Sequence, residues 1–219
     1  MDDFNLAEAD IVPVLEGLEK MNAIFGGHKT IINALKKLNV QNGWHISDWG
    51  CGGGGTLRAI ATWATYNRLK INLTGADAAH SAIRFARNRA GPFLNIEFIE
   101  TDVIADKLTE KQFDVVYSSL FTHHFTDEEW IVLVKKMLLC SRKAVIITDL
   151  HRHWLLYHTV ILITRVFTTN KMVRFDGPLS VKRAFKKAEL IGLLSKCGIV
   201  NYKIAWRWAF RWEVIINKG

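Results

Sequence analysis

Along the middle of the chain, short hydrophobic runs typical of buried strands alternate with segments whose apolar residues have the spacing of a helix. Short hydrophobic runs bounded by turn residues predict five strands, at 44–49, 71–76, 96–100, 114–118 and 144–148. Segments with apolar residues three or four positions apart predict helices between them, at 56–67, 81–89 and 127–139. Strands that alternate with helices indicate an α/β fold, with a mostly parallel sheet and helices on both of its faces.

The N-terminal part of the chain is predicted to be helical. Apolar residues at helical spacing cover 5–21 and 28–38, and Gly26-Gly27 separates the two segments. Proline is tolerated in the first turn of a helix but disrupts its interior, so we expect the first helix to begin near Pro13.

The segment after the fifth strand is longer than a crossover to the next element requires. We predict a helix over 154–167, a turn over 174–180 in which Ser180 caps the following helix, and a last helix over 189–196. We interpret the apolar stretch as a lid over an apolar substrate. The alternatives are a plain packing helix and a helix that rests on a membrane.

Two adjacent strand-like runs, 199–208 and 210–217, end the chain with little room for a helix between them. They predict an antiparallel hairpin at the edge of the sheet. Aromatic residues alternate there with Arg207 and Arg211. We therefore expect one aromatic face on the core and the arginines toward solvent or a ligand.

A glycine-rich turn joins the first predicted strand of the sheet to the helix after it. Residues 48–55 read Asp-Trp-Gly-Cys-Gly-Gly-Gly-Gly. Glycines let the backbone turn sharply and approach a ligand closely, and the first turn of a helix offers free N–H groups. The run fits two patterns, the dinucleotide pattern G-x-G-x-x-G from position 50 and the pattern D-x-G-x-G-x-G from position 48.

Three acidic residues favour the second pattern. A carboxylate at Asp48 would repel a bound diphosphate, but it can pair with the ammonium group of S-adenosylmethionine (SAM), which has no phosphate. Asp77 ends the second strand, where a carboxylate can bind both hydroxyls of a ribose. Asp102 follows the third strand, where it can accept a hydrogen bond from an adenine amino group. Asp77 and Asp102 each also fit a simple cap, so the ordered set of three acids carries the argument.

On these residues the sequence resembles the class I SAM-dependent methyltransferase superfamily over roughly 44–150. The matching stretches are Ile46–Gly54, Leu73–Asp77, Phe98–Asp102 and Phe113–Ser119. The resemblance implies a Rossmann-like, seven-stranded, mostly parallel sheet with an antiparallel last strand and helices on both faces. It implies SAM as cofactor and S-adenosylhomocysteine (SAH) as product. The contacts it implies come from Asp48, Gly50, Cys51, Gly52, Gly54, Asp77, Ala78, Asp102, Val103 and Ser118.

The residues after the fourth strand narrow the choice of acceptor. Ser118-Ser119-Leu120-Phe121 stands where amino-methylating DNA enzymes of this superfamily carry Pro-Pro-aromatic, and the chain has no Pro-Cys pair. Leu120–Phe125 resembles the pattern in members that modify quinones and other small molecules. The resemblance thus implies a small acceptor. We expect a phenolic, quinone-like or polyketide-like compound of secondary metabolism, with oxygen favoured over carbon and nitrogen as the atom methylated.

No linker, low-complexity stretch or internal repeat divides the chain, and 49% of its residues are hydrophobic. We therefore predict a single methyltransferase domain over 1–219. Its parts are a helical extension (1–42), a SAM-binding core (43–150), a substrate lid (151–188), and a C-terminal helix with the hairpin (189–219).

Polar residues follow the fourth and fifth strands, where ligands bind in open α/β sheets. A histidine can deprotonate a hydroxyl near neutral pH, so the candidate catalytic residues are His123, His124 and His151. The candidate substrate-binding residues are Asp149, Arg152, Arg174 and Arg183, the arginines to meet an acidic group. Histidines that only pack or cap, and arginines that only face solvent, are the alternatives. No metal site is expected, because no cysteine or carboxylate completes a ligand spacing with His151 and His153.

Charge and composition leave two other functions open. The net charge is +8, but residues 1–130 are acidic and residues 131–219 carry 17 Lys and Arg against 4 Asp and Glu. A basic half is compatible with RNA or an acidic membrane surface, although scattered lysines argue against nucleic acid. An NAD(P)-dependent oxidoreductase is the other alternative.

The predicted location is the cytoplasm, with a peripheral membrane contact left open. Three scattered cysteines suit a reducing compartment, and the N-terminus lacks an apolar signal core. The 12-residue uncharged run between Arg152 and Arg165 is too short to span a bilayer, which takes roughly 20 residues. The sequence does not indicate an oligomeric state.

Overall fold

The computed structural model describes residues 8–91, 93–167 and 170–218. Its helices are α1 (Glu8–Ile24), α2 (Gly27–Lys37), α3 (Gly55–Tyr66), α4 (His80–Arg89), α5 (Asp127–Cys140), α6 (Trp154–Phe167), α7 (Lys171–Arg183) and α8 (Lys187–Lys196). Its strands are β1 (His45–Trp49), β2 (Asn72–Asp77), β3 (Ile96–Glu100), β4 (Phe113–Ser119), β5 (Ser141–Leu150), β6 (Tyr202–Arg207) and β7 (Arg211–Asn217). The strands and helices predicted between 44 and 148 are all present, with ends that shift by at most three residues.

Within the described residues, seven strands form one sheet in the order β3-β2-β1-β4-β5-β7-β6. Strands β1 to β5 are parallel, and β7 runs antiparallel to both of its neighbours. This confirms the predicted Rossmann-like fold with its reversed last strand and its edge hairpin. Helices cover both faces of the sheet.

The strand order places a crevice at one edge of the sheet. From β1 the chain continues outward to β2 and β3 on one side, then returns to β4 on the other side. At such a reversal the loops beyond the carboxyl ends of the strands diverge and leave room for a ligand. Because β7 is antiparallel, its first residue, Arg211, lies at this same edge, opposite Leu150 at the end of β5.

Alternate residues of the central strands are buried on opposite faces of the sheet. Ile146 packs in the core formed with α2, α3 and α4, whereas Val145 and Ile147 pack in the core formed with α5 and α8. Strands that are buried on both faces read as continuous apolar runs, which is why β4 and β5 were recognisable in the sequence.

Helix α1 begins earlier than the sequence predicted. It starts at Glu8 and contains Pro13 in its second turn, so the expectation that it begins near Pro13 is wrong. Proline removes one backbone hydrogen bond of the helix. Leu15 compensates by packing against Ala82 and Phe85 of α4, contacts that require this part of α1 to be helical.

The predicted turn over 174–180 is also wrong, and Ser180 does not cap a helix. These residues lie inside α7, which contains both Gly177 and Pro178. Gly177 faces α6, where a Cβ atom would lie 3.1 Å from Val160 Cγ1 and 3.3 Å from Thr164 Cγ2. The glycine therefore serves close packing of two helices and not a change of chain direction.

The predicted split of the hairpin into a buried aromatic face and an open arginine face is wrong for several residues. Trp206 and Trp208 are exposed, whereas Trp212 is buried together with Arg211. The turn at 208–210 separates β6 from β7, so the alternation does not continue from one strand into the other.

No helix in the described ranges combines the length and apolar character that crossing a membrane requires.

Gly75 of β2 provides a test of this packing. A Cβ atom there would lie 2.7 Å from Leu57 Cδ1 and from Phe98 Cδ1, so Gly75→Ala should lower the free energy of unfolding by about 1–3 kcal/mol through overpacking. In α8, Gly192 has nothing near its Cβ position, so Gly192→Ala should raise the free energy of unfolding by roughly 0.4–1 kcal/mol. Urea unfolding measures both, and equal effects of the two variants would contradict the packing described here.

Candidate functional site

A cavity of about 920 Å³ occupies the crevice at the carboxyl ends of the strands. Its floor is the glycine-rich turn and the ends of β2 and β4. Residues of α1, α2, α6, α7 and the turn of the hairpin complete its walls. The size lies at the upper end of the range for small-molecule sites, so it is large enough for a cofactor and an acceptor together.

The glycine-rich turn lies against side chains that leave no room for larger residues. Gly50 has a φ of +75°, and a Cβ atom there would lie 2.3 Å from the Phe121 ring. At Gly54, with a φ of +72°, a Cβ atom would lie 2.7 Å from the Phe98 ring. Gly50 and Gly52 line the cavity, whereas Gly54 contributes the packing of the turn on β3.

Asp48, at the end of β1, is buried below this turn and lines the cavity. Burial raises the pKa of its carboxyl group to about 8, the Tyr117 hydroxyl opposes the rise, and the charge of Asp77 adds to it. Neither Asp48 Oδ1 nor the Tyr117 hydroxyl oxygen has a hydrogen-bond partner of normal geometry among the described residues. A buried carboxyl group in this state favours a cationic ligand, which would stabilise its charged form.

Asp77 and Asp102 also line the cavity, and each binds nearby backbone groups. Asp77 accepts hydrogen bonds from the N–H groups of Gly52 (2.9 Å) and Ala79 (3.0 Å), so it ties the glycine-rich turn to the start of α4. Burial raises the pKa of the Asp77 carboxyl group, and these N–H groups oppose the rise. Asp102 Oδ1 accepts hydrogen bonds from the N–H groups of Ile104 and Ala105. Asp102 thus caps the turn, which is the alternative role considered for it in the sequence analysis.

The other residues expected near a cofactor divide into two groups. Cys51, Ala78 and Val103 line the cavity. The side chain of Ser118 does not, since its hydroxyl group is buried and donates to the Trp49 carbonyl oxygen at 2.9 Å, which joins β4 to β1. The next residue, Ser119, lines the cavity in its place.

His123 lines the cavity and is held by Asp149. Its Nδ1 lies 2.7 Å from Asp149 Oδ1, and its backbone N–H donates to Asp149 Oδ2 at 3.0 Å. The hydroxyl group of Thr122 also donates to Oδ2, at 2.7 Å. Burial tends to raise the pKa of Asp149, but the charge and hydrogen bonds of His123 and the hydrogen bond of Thr122 outweigh it and lower the pKa.

These contacts determine the proton arrangement on His123. An ionised Asp149 accepts at Nδ1, so Nδ1 carries a proton and Nε2 is left as the basic nitrogen. Nε2 is buried and has no hydrogen-bond partner among the described residues. A hydroxyl group bound in the cavity can therefore donate to it.

The other two candidate catalytic histidines differ in position. His124 lines the cavity, with its ring centroid 4.3 Å from that of His123. His151 lies outside the cavity lining, between Trp212 and His153, and burial followed by the charge of His153 lowers its pKa. The chain turns away from the cavity after Leu150, so His151 packs on the hairpin.

None of the three arginines predicted to bind substrate lines the cavity. Arg152 forms an ion pair with Glu189, and Arg174 donates to the Arg165 carbonyl oxygen at 2.9 Å. Arg183 is exposed at the end of α7. Asp149 does not line the cavity either, because its carboxylate is turned toward His123 and Thr122.

Sequence reasoning did not select two residues of the cavity wall. Arg211 lines the cavity from the start of β7, and Phe121 covers Gly50. The arginines of the hairpin were expected toward solvent or a ligand, which was a signal for Arg211. No pattern in the sequence distinguished Arg211 from Arg207, because their difference depends on the hairpin register. No group of three or more histidine, cysteine or carboxylate side chains in the described part of the chain is arranged to hold a metal ion.

The glycine-rich turn and the acids around it lie in a segment with known relatives. A sequence profile of a family described as a methyltransferase domain matches residues 46–143. Phosphoethanolamine N-methyltransferase 1 of Triticum aestivum is 30% identical over 105 residues, 47% of this chain and 20% of that protein. The protein of the same name from Arabidopsis thaliana is 30% identical over 104 residues. The chain thus spans about a fifth of the length of these relatives.

Solved structures share the whole fold. A SAM-dependent methyltransferase from Aquifex aeolicus superposes with a TM-score of 0.69 at 13% identity, over 97% of this chain and 99% of that chain. Over 46–143 the chain thus matches a methyltransferase domain, and its fold is that of the solved SAM-dependent methyltransferase from Aquifex aeolicus. Plantazolicin methyltransferase in complex with SAH has a TM-score of 0.71 at 19% identity, over 95% of this chain and 89% of that one.

The residues of the cavity fit SAM, the cofactor that the sequence resemblance implies. The buried Oδ1 of Asp48 lacks a partner and is available to an ammonium group. The turn at 50–55 brings backbone close to the cavity, and Asp77 and Asp102 are carboxylates at the ends of the next two strands. In this arrangement Asp48 would meet the amino-acid part of SAM, Asp77 the ribose and Asp102 the adenine.

The raised pKa of Asp48 predicts a coupling between proton and ligand. Asp48 is protonated at neutral pH in the free protein and ionises when it pairs with an ammonium group. SAH binding should therefore release a proton, and its affinity should rise by up to about tenfold per pH unit from roughly pH 6 toward pH 8. Calorimetry in two buffers of different ionisation enthalpy measures the released proton.

Asp48→Asn should weaken SAH binding and remove this proton release. Asp127→Asn, which changes an exposed carboxylate at the start of α5, is the matched control and should retain both. An affinity of the unchanged protein for SAH that does not depend on pH would contradict the role given to Asp48.

Proposed function

We propose that this protein transfers a methyl group from SAM to a small, apolar, largely aromatic acceptor, and that the atom methylated is oxygen. A phenolic, quinone-like or polyketide-like compound of secondary metabolism fits this description. One observation carries the proposal. His123, which Asp149 orients and whose Nε2 has no partner among the described residues, lines the same cavity as Asp48, Asp77 and Asp102.

The acceptor end of the cavity is apolar. Leu155, Leu156, Val160 and Ile163 of α6 line it from one side, and Phe125 lines it from below. These side chains offer burial to a ring system and few partners to a polar molecule. The relatives from Triticum and Arabidopsis are named for phosphoethanolamine, a small and strongly polar acceptor, which this lining does not favour.

When bound, SAM supplies a methyl group on a positively charged sulfur. The protein's part is to hold the acceptor oxygen in line with that methyl group, to exclude water and to take up the proton of the hydroxyl group. In our proposal His123 accepts this proton at Nε2, and Asp149 stabilises the resulting imidazolium through Nδ1. Asp149 is a positioning residue, since it contacts His123 and not the acceptor.

Helices α6 and α7 form the cover of the site. Thr164 and Val160 face Gly177, so the two helices pack closely and act as one unit. We propose that this unit is the substrate lid. Most side chains that the lid contributes to the cavity are apolar, so in our proposal its closing removes water from the acceptor oxygen and strengthens the interaction with His123.

A peripheral membrane contact is a second proposal, and one observation favours it. Trp154, Leu162 and Val166 of α6 are exposed large apolar residues, and Arg165 lies beside them. A helix with this surface could rest on a bilayer and collect a lipophilic acceptor. Sedimentation with anionic vesicles tests it, with binding expected for the unchanged protein and lost in a Trp154→Ser, Leu162→Ser double variant.

The first test of the proposed function is a calorimetric titration with SAH. We expect binding in about the micromolar range and its loss in Asp77→Ala, because Asp77 both faces the ribose and ties the glycine-rich turn to α4. Folded protein that gives neither heat nor a thermal shift with SAH would refute the cofactor assignment. That result would favour a basic module that binds RNA or a membrane. A thermal shift with NAD(P) would instead favour an oxidoreductase.

The role of His123 gives a kinetic prediction, once a screen of phenols and quinols has found an acceptor. His123→Ala should lower kcat by about 100-fold or more without changing the Kd of SAH, since general-base catalysis typically contributes that much. His80→Ala, which changes an exposed histidine outside the cavity, should have no effect.

Asp149→Asn tests the orientation of His123. The amide group donates to Nδ1 and so moves the imidazole proton to Nε2, which can then no longer accept. We expect kcat to fall, and we expect its pH profile to lack the inflection that the unchanged enzyme shows. An unaltered pH profile would show that Asp149 only stabilises the fold.

A further inference from the structure

Arg211 is a buried cation whose hydrogen-bonding groups are largely unused. It is 3% exposed at the start of β7, and it lines the cavity. Its Nε and Nη1 atoms are buried without a hydrogen-bond partner among the described residues. A guanidinium group stays charged and carries five N–H donors, so a buried arginine is almost always paired.

The nearest acids do not supply the missing partner. Asp149 influences Arg211 by its charge, but both of its oxygens are occupied by Thr122, His123 and the N–H group of Leu150. Glu213, two residues along β7, forms ion pairs with Lys37 and Arg207 through Oε1, and its buried Oε2 makes no hydrogen bond to Arg211. A buried guanidinium in this position is costly until an acceptor reaches its free N–H groups.

The surroundings of the guanidinium group also favour an anion. Arg211 Nη1 lies against the first residue of α2, 2.8 Å from the Cβ position of Gly27. Helix α2 has no acidic residue in its first turn and no side-chain cap, so the positive end of the helix adds to the charge of Arg211.

The site carries a single positive charge. His28, beside Gly27, lines the cavity, and burial followed by the charges of Arg211 and Arg58 lowers its pKa to about 4, so it is neutral near pH 7. Arg58 is itself paired with Glu19 at 2.7 Å. One unpaired guanidinium group matches a monoanion such as a carboxylate better than a dianionic phosphate.

Arg211 lies close to the elements that hold His123, the residue proposed to face the acceptor. It lies opposite Leu150 in the sheet, and Leu150 follows the Asp149 that holds His123. Trp208 and Phe210, from the turn that precedes it, line the cavity beside it. An apolar ring system with one acidic group would place the rings on α6 and the hairpin turn, and the acidic group on Arg211.

We propose that Arg211 is the anion-binding residue of the acceptor site, and that the acceptor is an aromatic molecule with one carboxylate group. This inference rests on the proposed function. Arg211, which lines the cavity, thereby takes the role that the sequence predicted for Arg152, Arg174 and Arg183, which do not line it.

The probes are benzoate, 2-naphthoate and 2-anthroate, each compared with its uncharged amide by calorimetry on protein saturated with SAH. The unchanged protein should bind at least one acid about tenfold or more tightly than the matching amide, as expected for a hydrogen-bonded charge pair. Arg211→Met should bind acid and amide within about threefold of each other, with an unchanged Kd for SAH. Arg211→Lys, which keeps the charge but not the planar donors, should fall between the two.

Lys203→Met is the matched control, since it removes an exposed positive charge from the same hairpin. It should retain the full preference for the acid. If Arg211→Met does not fold, the comparison of acid with amide in the unchanged protein and in Arg211→Lys decides the matter.

Three outcomes would overturn the proposal. The first is that the unchanged protein binds none of the acids, or binds each acid and its amide equally. The second is that the preference for the acid survives in Arg211→Met. The third is a fall in SAH affinity in Arg211→Met that matches the fall for the acids, which would assign Arg211 to the carboxylate of the cofactor. Failure of the proposed function itself is distinct, because it appears as a lack of SAH binding by the unchanged protein.

Discussion

The chain can leave β1 and enter α3 only through a space that its neighbours fill almost completely. The Phe121 ring occupies the Cβ position of Gly50, Phe85 and Glu19 crowd that of Gly53, and Phe98 crowds that of Gly54. Only glycine fits at these three positions without displacing its neighbours, and the backbone of the turn lies on the cavity. The position of Asp48 below this turn and the start of α3 beyond it depend on the same constraint.

Asp149 plays the corresponding role on the acceptor side. It ends the buried part of β5 and takes four hydrogen bonds, from Thr122, His123 and Leu150, which connect β5 to the turn after β4. The same carboxylate is the nearest negative charge to Arg211. One buried acid thereby sets the orientation of His123 and offsets part of the charge of Arg211 without using its donors. This leaves a basic nitrogen and a cation with open hydrogen-bonding positions on the same cavity.

The two proposed ligands would meet different polar groups. In our proposal Asp48, Asp77 and Asp102 face SAM, and Asp48 becomes charged when it pairs with the ammonium group. Arg211 and the start of α2 provide positive charge for the acceptor. Such complementary groups would hold each ligand in one orientation.

Most of the sheet could be predicted from the sequence, because strands buried on both faces read as apolar runs and because the glycines and acids follow them in a fixed order. The acids of the cofactor side could be found from short stretches of sequence, since Asp48, Asp77 and Asp102 each stand at or just after the end of one strand. The residues of the acceptor side come from distant parts of the chain and could not be found in this way. His123 meets Asp149 because β4 and β5 pair in parallel, and Arg211 lies near them because β7 inserts antiparallel beside β5. The register of the hairpin selects Arg211 over Arg207 for the cavity. The helical state of 174–180 was likewise decided by packing, since α6 gives Gly177 a partner that no short-range pattern contains.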